Sequence, residues 1–402
     1  MWRTNLFAVT AASFIGFTGF TLVMPFLPLY FQQLGVSDVG EIALWSGLSL
    51  GVTPALTAML APFWGRLGDR FGNKIMVERS LVSFVIVMAS MAFVTQAWQV
   101  LALRAVQGLF AGYGALSLAM AIESAPPDRT AYALGFVQTA QRLGPALGPL
   151  IGGAVAQFVG LRRAFLVTSG FYFVALMLVF FMYHERARSA AVARTGRVTF
   201  RNILAFENFI LLMAVVFALQ FVDRSFGPVL PLYVAQLGTS LDRVPIVAGV
   251  LFSIAAGAGA LGHHFCGRLL RHAPARHVIA VSAGVAAVGV AGYVVARGTG
   301  LLILTTPLYG VALGIATTAT YTAASSTLPG SARSAGFGLL TTASLTGLAI
   351  SPIVSGFLGA TSIRAIFLLD VAALVALAVL VARLMITTPL VGTTQSPATE
   401  EL

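Results

Sequence analysis

The sequence predicts an all-α membrane protein of twelve transmembrane helices arranged as two pseudo-symmetric six-helix bundles. Three observations predict it. The 402 residues are 58% hydrophobic and only 9% charged, with mean hydropathy +0.91. Soluble domains carry about 25% charged residues, so a chain this poor in charge cannot coat itself in water. Twelve apolar stretches each approach the roughly 20 residues that a helix needs to cross hydrocarbon. Finally, the phrase LPLYFQQLGVS at 27–37 returns as LPLYVAQLGTS at 230–240, an offset of 203.

In chain order the stretches are 6–31, 43–63, 75–95, 98–122, 134–158, 164–183, 208–233, 245–266, 277–296, 300–323, 336–360 and 364–385. The first follows Arg3 and imitates a secretion signal. Its apolar run is too long for one and continues through Tyr30, so it reads as a retained span. The organisation expected is a bundle over 1–183, an Arg-rich cytoplasmic linker over 184–207, a second bundle over 208–385 and a short cytoplasmic tail over 386–402.

Other landmarks recur at nearly the same offset. GRLGDRFGNK at 65–74 is answered by GRLLRHAPAR at 267–276. Gly144, Gly148 and Gly152, with Pro149 among them, are answered by Gly347, Ser351 and Ser355 with Pro352. Such a duplication describes parallel six-span repeats, an architecture in which transporters bind substrate between the halves near the bilayer midplane.

The net charge of +11 raises the possibility of nucleic-acid binding, but its distribution argues against it. With a cytoplasmic N-terminus, sixteen basic residues fall on inner segments, while Arg162, Arg163, Arg243, Arg297 and Arg364 fall on outer ones. That bias is the positive-inside pattern and places both termini in the cytoplasm. Cys266 is the lone cysteine, which excludes an intramolecular disulfide. His263 and Cys266 supply two of the four ligands zinc needs, so neither a metal nor a cofactor is expected. No G-x-x-x-x-G-K-[ST] phosphate loop is present, so uphill transport would draw on an ion gradient.

GRLGDRFGNK sits between spans 2 and 3. Gly65, Gly68 and Gly72 are expected to let the chain turn tightly, and Asp69 to cap span 3 among Arg70 and Lys74. In span 4, LRAVQGLFAGYG places Arg104 inside apolar sequence, where a cation is costly enough to suggest function. In span 5, RLGPALGPLIGG stacks Gly144, Gly148 and Gly152 on one face, while Pro145 and Pro149 permit bending.

These stretches resemble the major facilitator superfamily. The loop is similar to its signature G-x-L-[AG]-D-[RK]-x-G-[RK]-[RK], matching at Gly65, Leu67, Gly68, Asp69, Arg70, Gly72 and Lys74 and departing at Asn73. The resemblance implies a cytoplasmic latch between the halves. It implies proton transfer involving Arg104. Gly144-x-x-x-Gly148-Pro149-x-x-Gly152-Gly153 resembles the motif of drug-proton antiporters, implying a bendable seam between halves and export across a bacterial inner membrane.

Intramembrane carboxylates are candidate proton carriers, Glu123 first and Asp223 second; Asp370 is expected to be interfacial. Thr18, Tyr30, Gln138, Gln141, Gln220, Tyr233, Tyr321 and Thr346 are candidate cavity-lining residues, and Tyr30 and Tyr233 are also expected at headgroup level. The expected partners are a small amphipathic substrate, protons and the bilayer, without nucleic acid, for a monomer. A facilitator or exporter of a polar metabolite such as a sugar or amino acid is the alternative. A sensor without transport would carry a longer soluble tail, and no nucleophile-base grouping suggests an enzyme.

Overall fold

The computed structural model describes residues 2–126, 129–185, 206–328 and 333–386; side-chain placement at positions 62, 65, 66, 69, 131 and 333–335 is likewise not described. Most of the expected linker and nearly all of the tail lie outside the described residues.

The first bundle comprises α1 (Trp2–Val23), a 3-10 turn (Met24–Phe26), α2 (Leu27–Gln33), α3 (Val39–Phe71), α4 (Asn73–Met91), α5 (Ala97–Leu109), α6 (Tyr113–Ser124), α7 (Thr130–Val159) and α8 (Leu161–Met182). The second comprises α9 (Phe209–Ser225), α10 (Leu230–Gln236), α11 (Val244–His272), α12 (Ala275–Val295), α13 (Thr299–Thr327), α14 (Arg333–Thr361) and α15 (Ile363–Leu384). The described residues contain no strand.

Each expected span coincides with one helix or a broken pair. The repeated phrase explains two of the breaks. Pro28 and Pro231 occupy the first turns of α2 and α10, where a missing N–H costs nothing, and each phrase restarts a helix after an interruption. The break between α9 and α10 bends the chain by 46°.

Among the described residues, nine helical segments are long and apolar enough to cross a membrane, and the bent α9–α10 pair makes a tenth. The two others fall short for a visible reason. The first turns of α4 carry Lys74, Glu78 and Arg79, and α7 carries Gln138, Gln141 and Arg142 at mid-length.

The helix pairings repeat between halves. In the first, α1 packs on α7 and α8, α4 on α8, and α3 on α5. In the second, α9 packs on α14 and α15, α12 on α15, and α11 on α13. Two seams join the halves, α3 against α14 and α11 against α7.

The tyrosines of the repeated phrase belong to this framework. Tyr30 is fully buried and donates to the Met91 carbonyl at 2.5 Å; Tyr233 is equally buried and donates to the Tyr293 carbonyl at 2.6 Å. This corrects the expectation that they line a cavity. Each hydroxyl satisfies a carbonyl at the end of a neighbouring helix, which a buried carbonyl requires.

Candidate functional site

The glycine motif of span 5 serves two different contacts. A Cβ on Gly144 would meet the Thr18 backbone, one on Gly148 the Thr21 hydroxyl, and one on Gly152 the Leu22 carbonyl. All three neighbours are on α1, so this seam lies inside the first half, not between halves as expected. Thr18 is consumed there: it is buried and donates to the Phe14 carbonyl at 2.7 Å, which removes it from any cavity. Only the remaining motif residues face the other half. A Cβ on Gly153 would meet Pro245, and one on Gly249 would meet the Pro149 carbonyl.

The second half repeats the plan with different chemistry. Gly347 lies against the Phe217 backbone of α9, while Ser351 and Ser355 donate to the Phe221 and Ser225 carbonyls. Across the other inter-half seam, a Cβ on Gly47 would meet the Pro352 carbonyl. Gly47 and Gly249, and Pro149 and Pro352, are pseudo-symmetry partners. Both seams are tight at one end of the molecule, where α3 and α11 begin and α7 and α14 finish.

Toward the opposite end lies an open cavity of about 360 Å³, lined by Arg142 of α7 and by His263, Thr317, Thr318, Tyr321, Thr322, Ser325 and Phe337 of the second half. Arg142 Nη1 lies 3.1 Å from His263 Nε2, and His263 Nδ1 lies 2.7 Å from Thr318 Oγ1. A guanidinium only donates, so Nε2 accepts, and the imidazole is neutral with its proton on Nδ1. Tyr321 therefore lines the cavity as expected. Gln141 donates instead to the Gly114 carbonyl at 3.0 Å, and Gln220 faces Gly347. Gln138 and Thr346 are exposed, and neither is among the residues lining this cavity. The sequence did not single out Arg142 or His263 for this role. A cation at mid-span and a histidine near the end of a span in the other half were the available signal.

Arg104 is completely buried. Its Nε donates to the Ser49 carbonyl at 3.0 Å, a second nitrogen donates to Gln107 Oε1, and it faces the Phe20 ring at 5.9 Å. Among the described residues no carboxylate lies within ion-pair reach of it. Nearby, Gln107 Nε2 and the Tyr172 hydroxyl are buried without a partner. Span 4 itself is broken after α5, with Gly112 at φ 128°. Arg79 donates to the Phe110 and Ala111 carbonyls at 3.0 and 3.3 Å, and Trp64 to that of Leu109 at 2.8 Å. Broken helices persist within a membrane only when neighbours satisfy the freed groups in this way.

The latch sequence is mostly helix, not loop: α3 runs through Phe71, and Gly72 alone makes the turn, at φ 95°. The side chain of Asp69 lies outside the described residues. The cap of α4 comes from Glu185, whose carboxylate accepts from the Asn73 N–H at 2.9 Å. Asn73 Nδ2 donates to Glu123 at 2.7 Å, and Lys74 Nζ donates to the Phe180 and Tyr183 carbonyls at 3.0 and 2.8 Å. These contacts stay among the first half and the start of the linker, and none of them reaches the second half. Arg70 sits over the Phe71 ring at 5.3 Å, and Gly68 packs against Asn73 and Leu116.

Of the other carboxylates, Asp223 pairs with Arg224 at 3.1 Å on a half-exposed surface. Asp370 is fully buried between α15 and α9, which corrects its expected interfacial place. Sequence position near the start of a span suggested the interface; packing against Ser225 put it in the core. Among the described residues, no group of three or more potential metal ligands occurs.

Comparison with known proteins adds family context. Residues 9–308 match the family model described as Major Facilitator Superfamily. The chain is 34% identical over 270 residues to a multi-drug resistance efflux pump PmrA homolog of Lactococcus lactis, covering 67% of this chain and 66% of that protein. It is 34% identical over 255 residues to the multidrug resistance protein MdtG of Proteus mirabilis, covering 63% of each. The chain thus spans just under two thirds of the length of these relatives. Its fold is similar to that of a bacterial homolog of the human lysosomal transporter Spinster in an inward-facing and occupied conformation, with TM-score 0.77, 16% identity and coverage of 94% and 96%. It is also similar to a D-xylose-proton symporter, with TM-score 0.74, 15% identity and coverage of 95% and 97%.

Proposed function

Given that the chain belongs to the major facilitator superfamily, a family of membrane transporters, we propose that it exports small amphipathic compounds by alternating access, driven by protons. The observation that carries this reading is the asymmetry of the inter-half contacts. Glycine-lined seams hold one end shut, while an open cavity lined from both halves lies toward the other. Rocking of the halves about such a site exchanges which side has access. The distribution of basic residues supports a cytoplasmic placement of the cavity end and of both termini, in a bacterial inner membrane. All twelve helical spans would then cross the bilayer, the polar faces of α4 and α7 being turned toward protein and cavity.

Export is supported by the efflux and multidrug-resistance names of the relatives. Proton coupling is supported by carboxylates on the helices: Glu123, held by Asn73; Asp223, paired with Arg224; and Asp370, which alone of the three is fully buried. An ionisable group inside a membrane bundle is a functional candidate by default. The hydroxyls of Thr317, Thr318, Thr322 and Ser325 favour a second reading, transport of a polar metabolite such as a sugar or amino acid.

The test is efflux of an amphipathic dye from proteoliposomes under an imposed pH gradient, with Glu123→Gln, Asp223→Asn and Asp370→Asn beside the wild type. Gradient-driven efflux lost in at least one variant is the expected result. Dye movement indifferent to the gradient in wild-type protein would sink proton coupling, and movement of a sugar but no dye would favour the second reading.

A further inference from the structure

Building on the efflux reading, we infer that the cavity selects amphipathic anions: compounds with a flat or aliphatic body and one acidic group held by Arg142. The charges near the cavity decide this. A guanidinium is always protonated, and Arg142 is exposed within the cavity. Its one hydrogen-bond partner among the described residues is His263, which is neutral because it accepts. A guanidinium offers five N–H donors, so most of those of Arg142 are unfilled by protein. Asp223 acts on His263 from outside the lining while also paired with Arg224. Among the described residues lining the cavity there is no Asp or Glu, and Arg142 is the one charged side chain.

The remaining walls complete the specification. Thr317, Thr318, Thr322 and Ser325 provide hydroxyls along one side. Tyr321 and Phe337 stack at 6.2 Å with 19° between their planes and present an aromatic face to a ligand body. An acidic group can dock bidentately on the fork of Arg142 with the body on those rings. A lipophilic cation in the same place would sit against a like charge with no carboxylate in the lining.

The experiment is fluorescence polarisation with the purified full chain in detergent, using fluorescein as the anion and rhodamine 123 as a cation of the same three-ring frame. Wild-type protein is expected to bind fluorescein at least about tenfold more tightly than rhodamine 123, a modest difference for opposite charges facing one cation in the cavity wall. Arg142→Gln should erase that preference by loosening fluorescein about tenfold, whereas Arg142→Lys should keep part of it. Arg224→Gln, which unmasks Asp223 and leaves Arg142 intact, should weaken fluorescein and strengthen rhodamine 123; it carries the test if Arg142→Gln fails to fold. Tighter binding of rhodamine 123 by wild-type protein, or unchanged fluorescein affinity in Arg142→Gln, overturns the anion assignment while leaving export standing. Binding of neither dye overturns both.

Discussion

Ser225 Oγ stands 2.5 Å from Asp370 Oδ2, and the same hydroxyl lies 2.9 Å from the Val222 carbonyl. A hydroxyl has one proton to give, and a carbonyl can only accept. If the hydroxyl serves Val222, the short contact to Asp370 needs a proton on the carboxyl. Among the described residues Asp370 Oδ1 is buried without a partner, and Asp370 acts electrostatically on Tyr309, as do Tyr293 and the Asp223–Arg224 pair. Ser225 also closes α9 immediately before its 46° bend, so the carboxyl touches a hinge.

The first prediction follows from that contact. Asp370→Asn supplies a neutral donor of the same shape, so the thermal unfolding midpoint in detergent should hold or rise. Gradient-driven efflux should fall by about tenfold or more, the least expected when a proton carrier is fixed in one state. Asp370→Leu should lower the midpoint by deleting the Ser225–Asp370 hydrogen bond and forcing a branched side chain into a packed site. A variant Asp370→Asn that couples normally would remove this residue from the proton path.

The two faces of the span-5 motif should be separable. Gly152→Ala drives a methyl into the Leu22 carbonyl within one half and should destabilise folding by about 1–3 kcal/mol, as overpacking does. Gly153→Ala meets Pro245 of the other half and should leave each half folded while opposing closure of the seam. Thermal melts report the first effect. Cysteine cross-linking across the Gly153–Pro245 end reports the second, as a slower reaction.

Tyr30→Phe deletes the hydrogen bond to the Met91 carbonyl, and Tyr233→Phe those to the Tyr293 and Ala296 carbonyls, all at helix ends. Each should cost about 1–3 kcal/mol, the penalty of an unsatisfied buried acceptor. As the two lie in different bundles, the double variant should show additive losses in denaturant titration. A strongly non-additive result would mean that the two sites are energetically coupled across the halves.

At the Gly72 turn, Glu185→Gln should weaken the cap of α4 by about 1 kcal/mol, because a charged acceptor of the Asn73 N–H becomes neutral. Asn73→Ala should release Glu123 from its amide donor. Amide hydrogen exchange over residues 73–78 checks both, with faster exchange expected in each variant.

The fold was largely legible because a bilayer imposes long apolar runs and duplication leaves repeated phrases such as those at 27–37 and 230–240. The seams were only half legible. Spacing by four puts Gly144, Gly148 and Gly152 on one face, but nothing in the spacing says whether the neighbour is α1 or the other half. Asp370 was misplaced because position along a span locates depth in the membrane, not which face meets protein. Arg142 and His263 lie 121 residues apart, and their meeting depends on how two halves dock. The latch was read as a loop because three glycines suggest turns, although only Gly72 adopts a conformation that needs one.

The paired contacts of Gly47 with Pro352 and Gly249 with Pro149 set backbone directly against backbone. A surface of that kind has no rotamers to lose on closing and none to recover on parting. At these two contacts it behaves as a slip plane, adhesive through many weak dispersion contacts, with Ile353 seated on Gly51 in one seam and Ser253 accepting from the Leu150 N–H in the other. Because two copies lie at the same end, neither can shear alone without straining the other, and both should let go together. The closed end is therefore built to release in a single step.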